Sequence, residues 1–168
     1  MTSTDLLVDT FERIRDAVHP AVNGLSADEL AFRPDPESNS IAWLVWHLTR
    51  IQDSHVAGLT DSEQVWMANG WAERFSLPFD ASDTGYGHGP DMVAAVTADA
   101  SSLLGYFEDV HAGTLEYVRS LSESDLTRVV DPGWDPPVTM SVRLVSVVAD
   151  DLQHVGQAAY VRGLLQRR

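Results

Sequence analysis

Apolar residues recur with a helical period in four long stretches of the chain. These stretches cover residues 4–23, 40–59, 101–121 and 141–165, and in each of them apolar side chains return every three or four positions. Strand-like alternation of apolar and polar residues is scarce in the rest of the chain. We therefore predict an all-α four-helix bundle of antiparallel helices, in which the first two helices pack side by side.

The two halves of the chain resemble each other at a spacing of 96 residues. Three matches carry this repeat: Phe11-Glu12 with Phe107-Glu108, the segment 25–30 (LSADEL) with 121–126 (LSESDL), and Asp35-Pro36 with Asp131-Pro132. Both middle segments have the spacing of a capping box, which begins a short helix. The repeat predicts two helix-hairpin pairs in which the second and fourth long helices occupy equivalent places.

A long aromatic loop connects the second and third predicted helices, from about Thr60 to Ala100. Five of its residues are aromatic and one part is the glycine-rich sequence YGHGP around His88. Loops of this length in compact domains are usually functional or disordered, and the aromatic content argues against disorder. We expect the segment to pack as a cover over one end of the bundle.

Composition narrows the class of protein. The length of 168 residues fits one domain spanning residues 1–168, and the net charge of −14 disfavours nucleic acid and anionic membrane surfaces as partners. No stretch has the apolar length of a membrane span and the N-terminus lacks a signal-peptide layout, which predicts a cytoplasmic protein. The absence of cysteine and lysine excludes thiolate nucleophiles, zinc–thiolate sites and Schiff bases formed by the chain itself.

The sequence DDLQHVGQ, at residues 150–157, places charged residues within an apolar helix. Asp150 and His154 lie four positions apart, so they share one helix face, and Asp151, three positions before His154, is an alternative. His47 lies among tryptophans and aliphatic residues of the second helix. Two imidazoles and one carboxylate can hold a divalent metal with coordination positions left open. A solvated polar face or a hydrogen-bonded core histidine remains the alternative interpretation.

The remaining histidines carry weaker signals. His19, near the end of the first helix, and His111, in a polar run of the third, are expected to be exposed to solvent. His55 lies two turns from His47 but is rotated away by roughly 80° on the helical wheel, which favours a flanking position over a ligand. His88 is flanked by glycines, so it is the loop histidine that can reach the mouth of a bundle.

Two motifs together resemble a known family. The sequence SIAWLVWHL around His47, followed about a hundred residues later by DDLQHVGQ, is similar to the DinB-like (YfiT-like) four-helix metalloprotein superfamily. The resemblance extends to LSADELAFRP, WMANGWAERF and TGYGHGP, and is greatest for the actinobacterial, mycothiol-dependent branch that includes proteins like maleylpyruvate isomerase and mycothiol S-transferase. It covers nearly the whole chain.

The resemblance implies a metal ligand set of His47, Asp150 and His154. Zinc is the expected metal, with Ni²⁺ or Fe²⁺ as alternatives, and mycothiol is the expected thiol co-substrate. Relatives usually have histidine or glutamate where this chain has Asp150. A pocket that binds the thiol co-substrate and its acceptor is expected beside the metal, and the residues assigned to it are Trp46, Trp66, Tyr86 and His88.

Three classes of function are compatible with these residues. The first is a metal-dependent transferase that conjugates a small-molecule thiol to a small electrophile, because a cation stabilises the thiolate. The second is a metal-dependent hydrolase or isomerase that uses the same ligands. The third is a non-catalytic bundle that binds a metal or another ligand. We favour the transferase, acting as a monomer or homodimer.

Overall fold

Four long helices form the framework of the protein. In the computed structural model, which describes residues 1–167, these helices are α1 (Ser3–Val22), α3 (Ile41–Thr60), α7 (Ala100–Ser120) and α9 (Met140–Leu165). Each begins and ends within one residue of the predicted bounds. Side-chain oxygens of Ser40, Asp99 and Thr139 accept hydrogen bonds from the first turns of α3, α7 and α9, and so fix where these helices begin. The all-α bundle predicted from the sequence is confirmed; Arg168 lies outside the described residues.

Shorter elements fill the connections. They are α2 (Ala27–Leu30), α4 (Val65–Ala68), α5 (Trp71–Phe75), α6 (Pro90–Ala95), α8 (Glu123–Leu126), β1 (Val129–Asp131) and β2 (Val138–Thr139). The two strands pair antiparallel. Both predicted capping boxes are present, at the starts of α2 and α8, which are matching positions in the two halves of the repeat.

The four long helices are arranged so that α1 and α3 lie diagonally opposite each other. Each of these two helices packs mainly against α7 and α9. The prediction that the first two long helices lie side by side is therefore wrong. The connections 23–40 and 121–139 each contain a short helix, and they are long enough to cross the end of the bundle. Helical periodicity identifies which face is buried, but it does not identify the neighbouring helix.

Side-chain contacts define the direction of each helix. Ser3 at the start of α1 lies beside Ser141 in the first turn of α9, and Arg162 near the end of α9 donates to the Asn23 carbonyl after α1. The neighbours α1 and α9 therefore run parallel. By the same reasoning α3 and α9 run antiparallel, since His47 meets His154 while His55 meets Arg143. The expectation that all neighbours are antiparallel is also wrong.

The connector between α3 and α7 lies along the side of the bundle. Successive hydrogen bonds join it to α3 from the C-terminal end upwards: Asp53 with Val65 and Trp66, Arg50 with Ala81 and Asp83, His47 with Thr84, and Trp43 with His88. α3 and α7 run parallel, since Arg50 meets Tyr106 and Thr60 lies beside Ser120 at the C-terminal ends of the two helices. The chain must therefore return over the length of a 20-residue helix, about 30 Å. The prediction that this segment covers one end of the bundle is corrected accordingly.

A buried polar network anchors this connector. Arg50 is fully buried; its guanidinium donates to the Ala81 carbonyl at 3.2 Å and to the Gln64 side chain at 2.7 Å, and lies 3.7 Å from an oxygen of Asp53. Tyr106 of α7 donates its hydroxyl to Asp53 at 2.7 Å. One ion pair therefore links α3, α7 and the connector, and sequence reasoning did not identify it.

The core extends through all four long helices. Its largest fully buried apolar side chains come from α1, α3, α7 and α9 together with Leu30 of α2. Within residues 1–167, no helix is both long enough and apolar enough to cross a membrane.

Candidate metal centre

Three predicted side chains meet between α3 and α9. One ligand atom from each of His47, Asp150 and His154 can be chosen so that these atoms all lie within 4.8 Å of one another. The two imidazoles meet edge to face, with ring centroids 4.9 Å apart. His47 is buried, whereas Asp150 and His154 are half-buried at the surface of the helix pair. The structure therefore brings the predicted set together at one accessible point.

The connector fixes the orientation of the His47 ring. Its Nδ1 lies 2.6 Å from the carbonyl oxygen of Thr84, which can only accept a hydrogen bond, so Nδ1 carries the proton. The lone pair of neutral His47 is then on Nε2. Burial lowers the pKa of His47, which favours this neutral form. A backbone carbonyl is a common partner for the second nitrogen of a metal-ligating histidine.

His154 and Asp150 interact one helical turn apart on α9. The Nε2 atom of His154 lies 3.5 Å from Oδ1 of Asp150, and its Nδ1 lies 3.0 Å from the side-chain oxygen of Gln157. The hydrogen bond to Asp150 raises the pKa of His154. Because a ligating imidazole must be neutral, metal binding competes with protonation of His154. Metal affinity is therefore expected to fall as the pH decreases.

The two neighbouring aspartates have different surroundings. Asp150 reaches the two imidazoles, but its Oδ2 atom is buried without a hydrogen-bond partner. Asp151 points into the core, is fully buried, and has no partner for either oxygen. Burial, reinforced by the charge of Asp150, raises the pKa of Asp151 well above its usual range, which favours its neutral form. Of the two acids left open by the sequence, the geometry favours Asp150 as the ligand.

Aromatic rings support the imidazoles. Trp43 stacks on His47 with centroids 4.6 Å apart and meets His154 edge to face. Its indole N–H donates to Nδ1 of His88 at 3.1 Å, and Nε2 of His88 lies 3.0 Å from Asp83. Both nitrogens of His88 are thus engaged, and this residue holds Trp43 and the connector in place. Sequence reasoning did not single out Trp43 for this contact.

The residues predicted to form an acceptor pocket lie in two environments. Trp46 and Trp66 are buried, and Trp46 packs against the rings of Trp66, Phe79 and His88. Tyr86 is 89% exposed in the connector, next to Gly85, which itself lies against His47. Their contact with an acceptor remains a prediction.

The other three histidines lie away from this centre. His111 is buried and stacks on Phe107, so the prediction that it is solvated is wrong; α1 packs over this part of α7. His19 is half-buried against Glu108 instead of being fully exposed. His55 accepts a hydrogen bond from Arg143 at 3.1 Å, two turns along α3 from His47.

The arrangement is chemically suited to a cation. Two imidazole nitrogens and a carboxylate form a donor set typical of divalent transition metals. The Oδ2 atom of Asp150 is buried and accepts no hydrogen bond, and a cation bound here would supply its missing partner. Only three protein ligands converge in the described residues, so further coordination positions would be open to a small molecule.

Gly85 permits the connector to approach His47, and its replacement gives a direct test. Gly85 has φ +89°, and a Cβ atom there would lie 2.9 Å from Nδ1 of His47 and from the Trp46 ring. Gly85→Ala is therefore expected to displace the Thr84 carbonyl and lower metal affinity by about 10–100-fold, the usual effect of losing such a supporting contact. Metal titration against a competing chelator measures this change.

Gly87→Ala is the matched control for this prediction. Gly87 also has a positive φ of +78°, but a Cβ atom there would meet nothing within 4 Å. This variant should share the backbone strain of Gly85→Ala and keep wild-type metal affinity. Equal losses in both variants would contradict a specific role for the contact between Gly85 and His47.

Comparisons with known proteins identify a matching family and a solved structure of the same fold. A family described as Mycothiol-S-transferase matches residues 6–167. A solved structure, described as the crystal structure of a conserved protein from Enterococcus faecalis, is 32% identical with a TM-score of 0.93, over 100% of this chain and 99% of that chain. A search of curated proteins gave no match.

Proposed function

Because the chain belongs to the mycothiol-S-transferase family, we propose that it is a metal-dependent enzyme that transfers a small thiol, mycothiol, to a small electrophile. The observation that carries this proposal is the convergence of His47, Asp150 and His154 beside an unpartnered carboxylate oxygen. A divalent cation held by these residues, with zinc as the first candidate, would stabilise a thiolate near neutral pH. The expected site of action is the cytoplasm.

The protein's own residues prepare this site for the reaction. Thr84 and Gln157 bond to the Nδ1 atoms of His47 and His154 and so leave both Nε2 atoms available as ligands. Trp43 packs against both rings and limits their movement. The absence of cysteine means that no protein thiol competes with the substrate thiol.

The proposed reaction forms a carbon–sulfur bond. The thiol sulfur attacks an electrophilic carbon of the acceptor, and the thiol proton passes to solvent. A leaving group departs with its bonding electrons, or, where the acceptor has none, the adduct takes up one proton. Among the described residues near the triad, Asp151 is buried in the core and both nitrogens of His88 are already engaged, so the polarising cation would contribute most of the rate enhancement. Tyr86, exposed beside Gly85, is the residue of the aromatic connector best placed to meet an acceptor in solvent.

Titration calorimetry tests this proposal by detecting the protons that are released when the thiol binds. If the zinc-loaded protein binds mycothiol as a thiolate, binding releases protons and weakens as the pH is lowered. The measured heat should therefore differ between two buffers of different ionisation enthalpy. The matched ligand is the S-methyl derivative of mycothiol, which has no thiol proton to release and should show no such difference.

The possible outcomes separate the three functional classes. Proton release upon thiol binding, followed by product formation with an electrophile, supports the transferase. Metal binding without affinity for the thiol would contradict it and leave hydrolysis or isomerisation on the same site. If the metal changes only the stability of the protein, and neither a thiol nor an electrophile binds, a non-catalytic bundle is the correct interpretation.

A further inference from the structure

The outer surface of α9 has a second apolar stripe, which is separate from the one that faces the core. We define the outer stripe as the six exposed residues Val142, Val145, Ala149, Leu152, Gly156 and Ala159. Their spacings alternate between three and four residues, the a and d positions of a heptad repeat. Three are large and clearly exposed: Val142 at 50%, Val145 at 57% and Leu152 at 45%. A regular stripe of this kind is typical of a helix that packs against another helix.

The outer stripe is uncharged although the protein is strongly acidic. The charged residues of α9 between Met140 and Tyr160 are Arg143, Asp150 and Asp151, and all three are half-buried or buried on other faces. With a net charge of −14, two copies of the chain repel each other over most of their surfaces. The outer stripe is a surface on which two copies can approach without placing like charges opposite each other.

The order of large and small residues along the outer stripe is self-complementary. When two copies of α9 are aligned antiparallel about a two-fold axis between residues 150 and 151, Leu152 faces Ala149 of the other copy. In the same alignment Val145 faces Gly156, and Val142 faces Ala159. Every layer thus combines one larger side chain with one small residue, in the a–d′ pairing of antiparallel helices. A parallel alignment would place Gly156 against Gly156 and leave a gap.

Gly156 is consistent with this pairing. A glycine inside a helix is less stable than alanine by roughly 0.5–1 kcal/mol, and a Cβ atom at Gly156 would meet nothing within 4 Å in the chain itself. The fold of one chain therefore does not require glycine at this position. A neighbouring Val145 side chain from a second copy would use the space.

From these observations we propose that the protein forms a two-fold symmetric homodimer through antiparallel packing of the outer stripes of two α9 helices. A symmetric interface of this type uses the same surface patch on both copies. Leu6 of α1 is 54% exposed and lies beside Val145. Because each copy contributes one Leu6, these two residues extend the apolar interface at both of its ends. Asp150 and His154 lie on a different face of α9, towards α3, so both candidate metal centres stay open in the dimer.

Oligomeric state is tested by light scattering after size exclusion over a dilution series. The unmodified chain should have the mass of a dimer, and Leu152→Glu should have the mass of a monomer with unchanged helical circular dichroism. Met67→Glu is the matched control, because Met67 is 48% exposed in α4, away from the outer stripe. A monomeric wild-type protein, or a Leu152→Glu variant that remains dimeric, would overturn the proposal.

Cysteine cross-linking tests the orientation, since the chain has no cysteine of its own. Antiparallel pairing predicts that a mixture of Val145→Cys and Gly156→Cys chains forms a disulfide-linked heterodimer upon mild oxidation. Neither variant alone should form the link. Cross-linking of Val145→Cys alone would indicate parallel helices and contradict the proposed interface, as would a mixture that stays unlinked.

Discussion

Replacement of His154 with alanine is expected to leave the purified protein without stoichiometric metal. The substitution removes one of three ligands and releases Asp150 from its hydrogen-bonding partner. We expect metal affinity to fall by more than about 100-fold, beyond the loss usual for a supporting residue, and thiol-transfer activity to fall with it. Elemental analysis of the purified variant and competition with a chromogenic chelator measure the affinity, and circular dichroism verifies the fold.

His55→Ala is the matched control for this experiment. His55 is also an imidazole of the α3–α9 interface, but it pairs with Arg143 two turns from His47 and lies outside the triad. The control variant should therefore keep its metal even if its stability decreases. If His154→Ala binds metal as well as His55→Ala does, the triad is not a metal site.

Of the substitutions described here, replacement of Asp53 with alanine is expected to cause the largest loss of stability. The variant leaves the Arg50 guanidinium buried without its carboxylate, and leaves the backbone N–H groups of Val65 and Trp66 and the Tyr106 hydroxyl without their acceptor. Removal of one partner from a buried ion pair costs about 3–5 kcal/mol. Urea denaturation at neutral pH measures the change in the free energy of unfolding.

The exposed pair of Asp9 and Arg13 provides the control. These residues form an ion pair at 2.7 Å on α1, with both side chains more than half exposed, and Asp9→Ala changes the net charge by the same amount as Asp53→Ala. Such pairs contribute little because water screens them. A similar small effect of both substitutions would show that the Asp53 network does not hold the connector in place.

The helices were predictable because their signals are local. Apolar spacing and the cap residues Ser40, Asp99 and Thr139 determine where α3, α7 and α9 begin, and both kinds of signal lie within a few positions of each boundary. The diagonal placement of α1 and α3 was not predictable in this way. It depends on the course of two linkers and on the return of the connector along α3, which no local pattern encodes.

The candidate site was likewise predictable only where its sequence signals are local. His47, Asp150 and His154 were found because each is a polar residue on an apolar face, and two of them lie one turn apart. Arg50 and Asp53 carry a comparable signal, a charged pair three positions apart in the apolar helix α3, and it was overlooked. The contacts of Thr84 and Gly85 with His47 arise from the folded connector, so the sequence around them contains no indication of the partner.

The triad combines residues that are made at very different times. His47 leaves the ribosome early, whereas Asp150 and His154 belong to the last long helix and follow about a hundred residues later, at a typical rate of about 5–20 residues per second. A nascent chain that contains only His47 has one ligand and cannot retain a metal ion. Metal acquisition must therefore follow the docking of α9 on α3, which makes it a late step in the maturation of the protein.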